Sequence, residues 1–366
     1  MNAQVYPGRM ARAAAEAAAR GAEAMVVTPS PDLAYLTGYT PMPLERPTLL
    51  VLRPGRDPAL LVPELERPLA AASPAGPALE LIPWSDGQDP YEEAARLLPA
   101  SGRVAVCDRM WSAHLLGIQA ALPGAVFDGA GRIMGALRAV KGPEELDALR
   151  RAATAADGCF EQILGVTFSG LTEAAVAALL ADLLLASGHS RADFTIVASG
   201  PNSASPHHEP HDRVISPGDA VVLDFGGELD GYFSDTTRTV VVGEPPPDLE
   251  RVYAIVRDAQ EAATAMVRPG VRAEEVDRTA RAIIAEAGFG ERFIHRTGHG
   301  IGLEVHERPY IVEGDGTELK PGMTFSVEPG IYLDARFGVR IEDIVAVTEE
   351  GVERLNRSTH DLQVVA

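Results

Sequence analysis

The sequence predicts a two-domain chain, an α/β domain over residues 1–135 followed by an α+β domain over 136–366. Three observations predict it. The 366 residues exceed one domain of about 150 residues and fall short of three. In the first part, short apolar runs alternate with helical stretches, the pattern of an α/β layer. Beyond Lys141–Gly142–Pro143, paired helices are segregated from hairpin-like strands, which describes an α+β domain.

In the first domain the stretch from Met1 to Gly21 is alanine-rich and broken by Arg9, Arg12, Glu16 and Arg20. It reads as an amphipathic helix and lacks the apolar core of a secretion signal, so a cytoplasmic location is expected. Strands are expected at Ala24–Thr28, Thr48–Leu52, Ala59–Val62, Leu79–Pro83 and Arg103–Cys107. Helices are expected at Asp89–Leu98, where Asp89 caps and Pro90 takes the first turn, and at Ser112–Ala121. In the second domain, Pro143–Leu164 opens with Glu144 and Glu145, which suit a helix dipole. Thr172 caps Leu171–Ser187, and Val252–Val267 and Ala273–Ala287 close on Gly270 and Gly288.

Composition narrows the function. Hydrophobic residues are 46% and charged residues 23% of the chain, ordinary for a globular protein. No apolar run of about 18 residues exists, which excludes a membrane-spanning helix. The net charge of −20 repels phosphate backbones, so nucleic acid is a poor partner. Cys107 and Cys159 form no CxxC pair and read as buried thiols.

The chemistry concentrates in two segments. In Asp219–Val242, β-rich runs flank Glu228–Leu229–Asp230–Gly231, a hairpin turn with the Asp-Gly signal. The midpoint of Asp224 and Asp235 falls between Leu229 and Asp230, so the two acids are expected opposite each other, within one residue. In Met323–Val347 the midpoint of Glu328 and Glu342 is Ala335, inside the expected turn Asp334–Gly338. Cross-strand Cβ atoms lie about 4.5–5.5 Å apart, and ionised carboxylates at that distance require a proton or a cation between them. His299 stands among Gly298, Gly300 and Gly302, where the backbone can approach a ligand closely. Two aspartates, two glutamates and an imidazole form a donor set for two hard or borderline divalent ions, manganese first, with cobalt or zinc as alternatives. The run His208–Glu209–Pro210–His211 is not HExxH, and Pro210 would break the helix such a site needs.

These segments resemble the "pita-bread" M24-type metallopeptidases, which include methionine aminopeptidase, aminopeptidase P and prolidase. The matching motifs are SGPNSASPHH (199–208), DFGGELDGYFSDTTRT (224–239), GHGIGLEVHE (298–307), SVEPGIY (326–332) and VRIEDIV (339–345). DLAYLTGY (32–39) and the α/β pattern make the first domain similar to the creatinase/prolidase N-terminal type. The resemblance implies that Asp224 binds one metal, that Asp235 and Glu342 bridge both, and that His299 and Glu328 complete the second. It implies further that the ions lower the pKa of an attacking water and that Glu328 acts as general base and acid. His207 and His306 would stabilise the tetrahedral intermediate or orient substrate, and His295 would lie behind the ligands.

The PHH and GLEVHE stretches and the extra N-terminal domain favour the Xaa-Pro branch. A compact first domain favours Xaa-Pro dipeptides (prolidase) over longer peptides (aminopeptidase P). A non-catalytic relative and a creatinase-type hydrolase are the other readings, and the five ligand positions weigh against both. A dipeptidase must bind a free carboxylate, best done by an arginine. Arg46, in the loop PMPLERPT, and Arg340, two residues from Glu342 on the same strand face, are the candidates; Arg340 has a second reading as an anchor of the ligand network. A homodimer is expected.

Overall fold

The computed structural model describes residues 3–366. They form two compact units, one ending at Arg138 and one running from Ala139 to Ala366. No helix among the described residues is long and apolar enough to cross a membrane.

The N-terminal unit is built on a six-stranded mixed sheet in the order Glu80–Trp84, Ala59–Pro63, Leu49–Leu52, Ala24–Val27, Gly102–Val106, Ala125–Gly129. The central strands Ala24–Val27 and Leu49–Leu52 are buried along their whole length. That burial is why they read as unbroken apolar runs rather than as alternation. The sixth strand, Ala125–Gly129, escapes a reading based on apolar runs because its apolar run is only three residues long and the strand is largely exposed at the sheet edge. Asp89 caps its helix as expected, its Oδ1 accepting from the Tyr91 amide at 2.8 Å. Cys107 and Cys159 are both free and buried.

The C-terminal unit holds two helix pairs and two main sheets. Pro143–Ile163 and Glu173–Ala186 pack on a sheet ordered Gln363–Val365, Thr236–Val242, Ala220–Leu229, Arg191–Ser199. Thr172 caps the second of these helices through the Ala175 amide. Pro247–Met266 and Ala273–Glu286 pack against the other sheet, ordered Glu307–Ile311, Gly298–Gly300, Thr324–Val327, Asp343–Val347, Val352–Arg354. The helix expected from Val252 starts five residues earlier, because Pro247 takes its first turn and Asp248 and Glu250 follow.

Strand periodicity sends the polar side chains away from both helix pairs. Val221, Leu223 and Phe225 enter one apolar core, so Asp224 points to the opposite face of its strand. Phe325, Val327, Val339, Ile341 and Val345 enter the other core, which leaves Glu328, Arg340 and Glu342 on the face without helices. The two faces meet where the Glu342 amide donates to the Thr237 carbonyl at 3.0 Å, a bridge between the two hairpins.

Candidate metal centre and active site

The first hairpin turns at Asp230–Gly231, both in the left-handed region (φ 54° and 82°), with Leu229 opposite Tyr232. This two-residue turn centres the register one residue beyond the expected midpoint. Asp224 therefore lies opposite Thr237, not Asp235. Asp235 remains on the same face as a diagonal neighbour, because a two-residue offset preserves the side of the sheet. In the second hairpin the midpoint holds: Gly330 pairs with Arg340 and Val327 with Asp343. Glu328 and Glu342 fall at the break between these two paired stretches.

The glycines around His299 serve a purpose different from the expected one. A Cβ at Gly298 would lie 1.8 Å from the Ser326 carbonyl oxygen, and one at Gly300 would lie 2.3 Å from that of Arg308. They admit neighbouring backbone rather than a ligand, and that packing drives the His299 ring inward. His299 Nδ1 is 3.2 Å from the Gly300 carbonyl. Nε2 lies 3.2 Å from Glu328 Oε1 and 3.6 Å from Asp235 Oδ2; with Nδ1–H on the Gly300 carbonyl, Nε2 is the atom that would be offered to a metal ion.

One cavity of about 440 Å³ is lined by Asp224, Asp235, His299, Glu328 and Glu342 together with His207, His306, His295, Arg296 and Arg340. Phe194, Ile196, Pro206 and Val305 supply apolar wall. Donor atoms of Asp235, His299 and Glu342 all lie within 4.8 Å of one another, and all three residues are buried. His207 and His306 are exposed at the rim; the His306 ring meets that of His299 edge-on at 4.2 Å. Desolvation of its ring, reinforced by His299 and Arg296, holds the His306 pKa down to about 4.

The electrostatics fit a cationic occupant. Burial first, and the neighbouring acids second, push Asp235 and Glu342 well above the ordinary carboxylate range. Asp224 is also raised by burial, although Arg340 opposes the shift. Burial works against ionised Glu328 too, but His299 outweighs it and lowers that pKa. Asp224 Oδ1 is buried and has no hydrogen-bond partner, an acceptor left over for a cation. Four carboxylates and one imidazole offset the charge of two divalent ions with hard or borderline donors.

Arg340 is committed inside this network. It donates to Asp224 Oδ2 at 2.5 Å, the Tyr332 hydroxyl at 2.9 Å, Thr237 Oγ1 at 3.1 Å and the Pro206 carbonyl at 3.4 Å. Arg46 belongs to the N-terminal unit, where Asp86 grips it through two hydrogen bonds of 2.9 and 3.0 Å and Glu45 through a third. His208 Nε2 donates to the buried Glu173 carboxylate at 2.9 Å, and Ser199 and Asn202 donate to the same carboxylate. This fastens the loop that carries His207.

Three neighbours were not singled out by sequence reasoning. Thr237 Oγ1 donates to Glu342 Oε2 at 2.6 Å. Tyr332 joins His295 (2.8 Å) to Arg340, its pKa pushed up to about 12 by burial. Thr237 shares strand parity with Asp235, and Tyr332 with Glu328, so period-two counting along the hairpins finds both. Arg296, beside His295, carries no such signal.

An α/β unit followed by helix-backed sheets whose bare faces converge on buried carboxylates and imidazole is the pita-bread architecture of a metallopeptidase. The description "Metallopeptidase family M24" matches residues 147–349, and "Creatinase/Prolidase N-terminal domain" matches residues 9–140. The chain belongs to metallopeptidase family M24. It is 47% identical to the probable dipeptidase PepE of Mycobacterium tuberculosis, over 100% of this chain and 98% of that one. It is 36% identical to the Xaa-Pro dipeptidase of Lactobacillus helveticus, covering 91% and 92% of the two. The crystal structure of dipeptidase PepE from Mycobacterium ulcerans superposes with a TM-score of 0.96 at 44% identity, covering 100% and 99%.

Proposed function

We propose that this enzyme hydrolyses the Xaa-Pro bond of dipeptides, using two divalent ions, manganese before cobalt or zinc. One observation carries the reading: the acids of two separate hairpins converge with His299 in a single cavity. The Xaa-Pro dipeptidase relative and the dipeptidase neighbour support the substrate class. Asp224, Asp235, His299, Glu328 and Glu342 would hold the ions. Bound there, two such ions supply Lewis-acid polarisation of the scissile carbonyl and a lowered pKa for the attacking water.

The chain's own residues do the rest. Glu328, fixed by a 3.1 Å hydrogen bond from Ser326 Oγ, takes the proton of the attacking water and returns it to the proline nitrogen. Arg340 holds Asp224 in place. His207 and His306 donate from the rim to the oxygen that gains charge as the carbonyl carbon becomes tetrahedral. Phe194, Ile196 and Val305 seat the apolar parts of the substrate and exclude water. Two buried thiols with no disulfide accord with a cytoplasmic enzyme, and a homodimer is the common assembly for such chains.

The test is elemental analysis together with rates on Xaa-Pro and Xaa-Pro-Xaa peptides, before and after chelation. The reading expects bound metal, chelator-sensitive hydrolysis and faster cleavage of the dipeptide. Preference for the longer peptide converts it to an aminopeptidase P activity. Hydrolysis that is absent, or indifferent to chelation, overturns it.

A further inference from the structure

A dipeptide cut before proline carries its negative α-carboxylate one residue from the scissile bond, so the cation that receives it must face the same cavity. Two arginines do, Arg296 and Arg340. Arg340 has its guanidinium spent on Asp224, Tyr332, Thr237 and the Pro206 carbonyl. Arg296 is placed differently. Its guanidinium lies over the Tyr310 ring, 4.5 Å from the centroid. Among the described residues it is in no ion pair, although the chain has 52 acidic residues against 32 Lys and Arg. The cavity's peripheral acid, Asp193, is taken by Arg191 at 2.9 Å. Tyr310 is the strand partner of His299, and Arg296 precedes His299 by three residues. The stack is therefore tied to the reacting centre from both sides of one strand pair. An aromatic face holds a guanidinium flat while its N–H edge stays available for bidentate bonding.

We infer that Arg296 is the specificity-determining residue that receives the free carboxylate of the Xaa-Pro dipeptide, an assignment that rests on the Xaa-Pro reading above. It makes the enzyme prefer a free acid to an amide or a longer chain at that position. Desolvation of an unpaired arginine against a neutral substrate end costs binding, whereas a carboxylate restores charge-assisted hydrogen bonds.

The experiment compares kcat/KM for Met-Pro, Met-Pro-amide and Met-Pro-Gly in the metal-loaded enzyme and in Arg296→Ala, Arg296→Gln and Arg296→Lys. Inhibition by free proline and by prolinamide gives a readout of binding without turnover. The wild type should favour the free acid. Arg296→Ala should lose about 100-fold on Met-Pro, mainly through KM, and change less than about twofold on the amide. Inhibition by proline should weaken in parallel and inhibition by prolinamide should not. Arg296→Lys should retain part of the preference as a point charge. Arg296→Gln keeps the stem over Tyr310 and replaces the alanine variant if that one fails to fold. Arg308→Ala, which removes an exposed guanidinium 5.5 Å from the same ring, should leave the preference intact. Equal losses on acid and amide, an undiminished preference in the Arg296 variants, or a preference lost through Arg308 instead would overturn the assignment. A wild type that cleaves Met-Pro-Gly but not Met-Pro overturns it and leaves Xaa-Pro cleavage standing. A wild type inert on all three peptides overturns the Xaa-Pro reading and the assignment together.

Discussion

Replacing Arg238 by methionine should unfasten the two hairpins, although Arg238 does not itself line the cavity. Arg238 is 1% exposed. Its guanidinium donates to the carbonyls of Thr237 (2.9 Å), Glu342 (2.6 Å), Ser358 (3.0 Å) and Thr359 (3.1 Å), and to Asp343 Oδ1 (2.7 Å). It thus joins the strand of Asp235 to that of Glu342 and ties both to the C-terminal segment. Removing one partner of a buried ion pair costs about 3–5 kcal/mol; the carbonyls of Glu342, Ser358 and Thr359 also lose this donor, while His360 (2.8 Å) and Arg354 (3.4 Å) still face Asp343, which places Arg238→Met toward the lower end. Set against a total of about 5–15 kcal/mol, that is a severe loss. Both tryptophans, Trp84 and Trp111, lie in the N-terminal unit, so their fluorescence serves as a control. Hydrogen exchange of the Thr236–Val242 strand amides in urea reports on the C-terminal unit. The double variant Arg238→Met/Asp343→Leu removes both charges and should be less destabilised than the sum of the two single variants, because the Asp343 carboxylate, left with only His360 (2.8 Å) and Arg354 (3.4 Å), no longer has to stay buried without its main partner. A loss below about 1 kcal/mol in the single variant, or additive losses in the double, would refute this account of the clamp.

Two other outcomes follow from the same network. Burial alone would raise the Glu173 carboxyl, but the Ser199, His208 and Asn202 hydrogen bonds overcome it and lower its pKa. A lowered folded pKa means stability that is present above the unfolded carboxylate value and lost as pH falls through the folded one. Glu173→Gln should therefore cost about 2 kcal/mol at neutral pH and progressively less in acid; urea titrations showing a pH-independent gap would refute this. Thr237→Val preserves shape but deletes the 2.6 Å hydrogen bond to Glu342 and the acceptor for Arg340. Metal titration should show affinity falling about 10–100-fold with the fold unchanged by circular dichroism; unchanged affinity would remove Thr237 from the ligand support.

Much of the site was legible because it is built from local patterns. Asp230–Gly231 marks a turn by backbone preference alone, and period-two alternation assigns Asp224, Asp235, Glu328 and Glu342 to faces of their strands. Those terms act between residues a few positions apart, and a linear sequence displays them directly. The same counting misplaced Asp224 by the span between facing and diagonal, since a one-residue difference in turn centre moves every partner by two. Arg46 shows the opposite limit: a proline-rich loop announces an arginine, but Asp86, 40 positions away, decides what it pairs with.

By itself, then, the sequence determined the elements, their apolar faces and the acids each hairpin presents, because these depend on spacing along one strand or helix. Only the tertiary structure decided that Thr237 meets Glu342, that Arg340 is used up on Asp224, and that Arg296 is the arginine left facing the cavity. Each of the first two contacts joins residues more than 100 positions apart. Such contacts are selected by how two sheets pack, a property of the whole core that no local run of residues encodes.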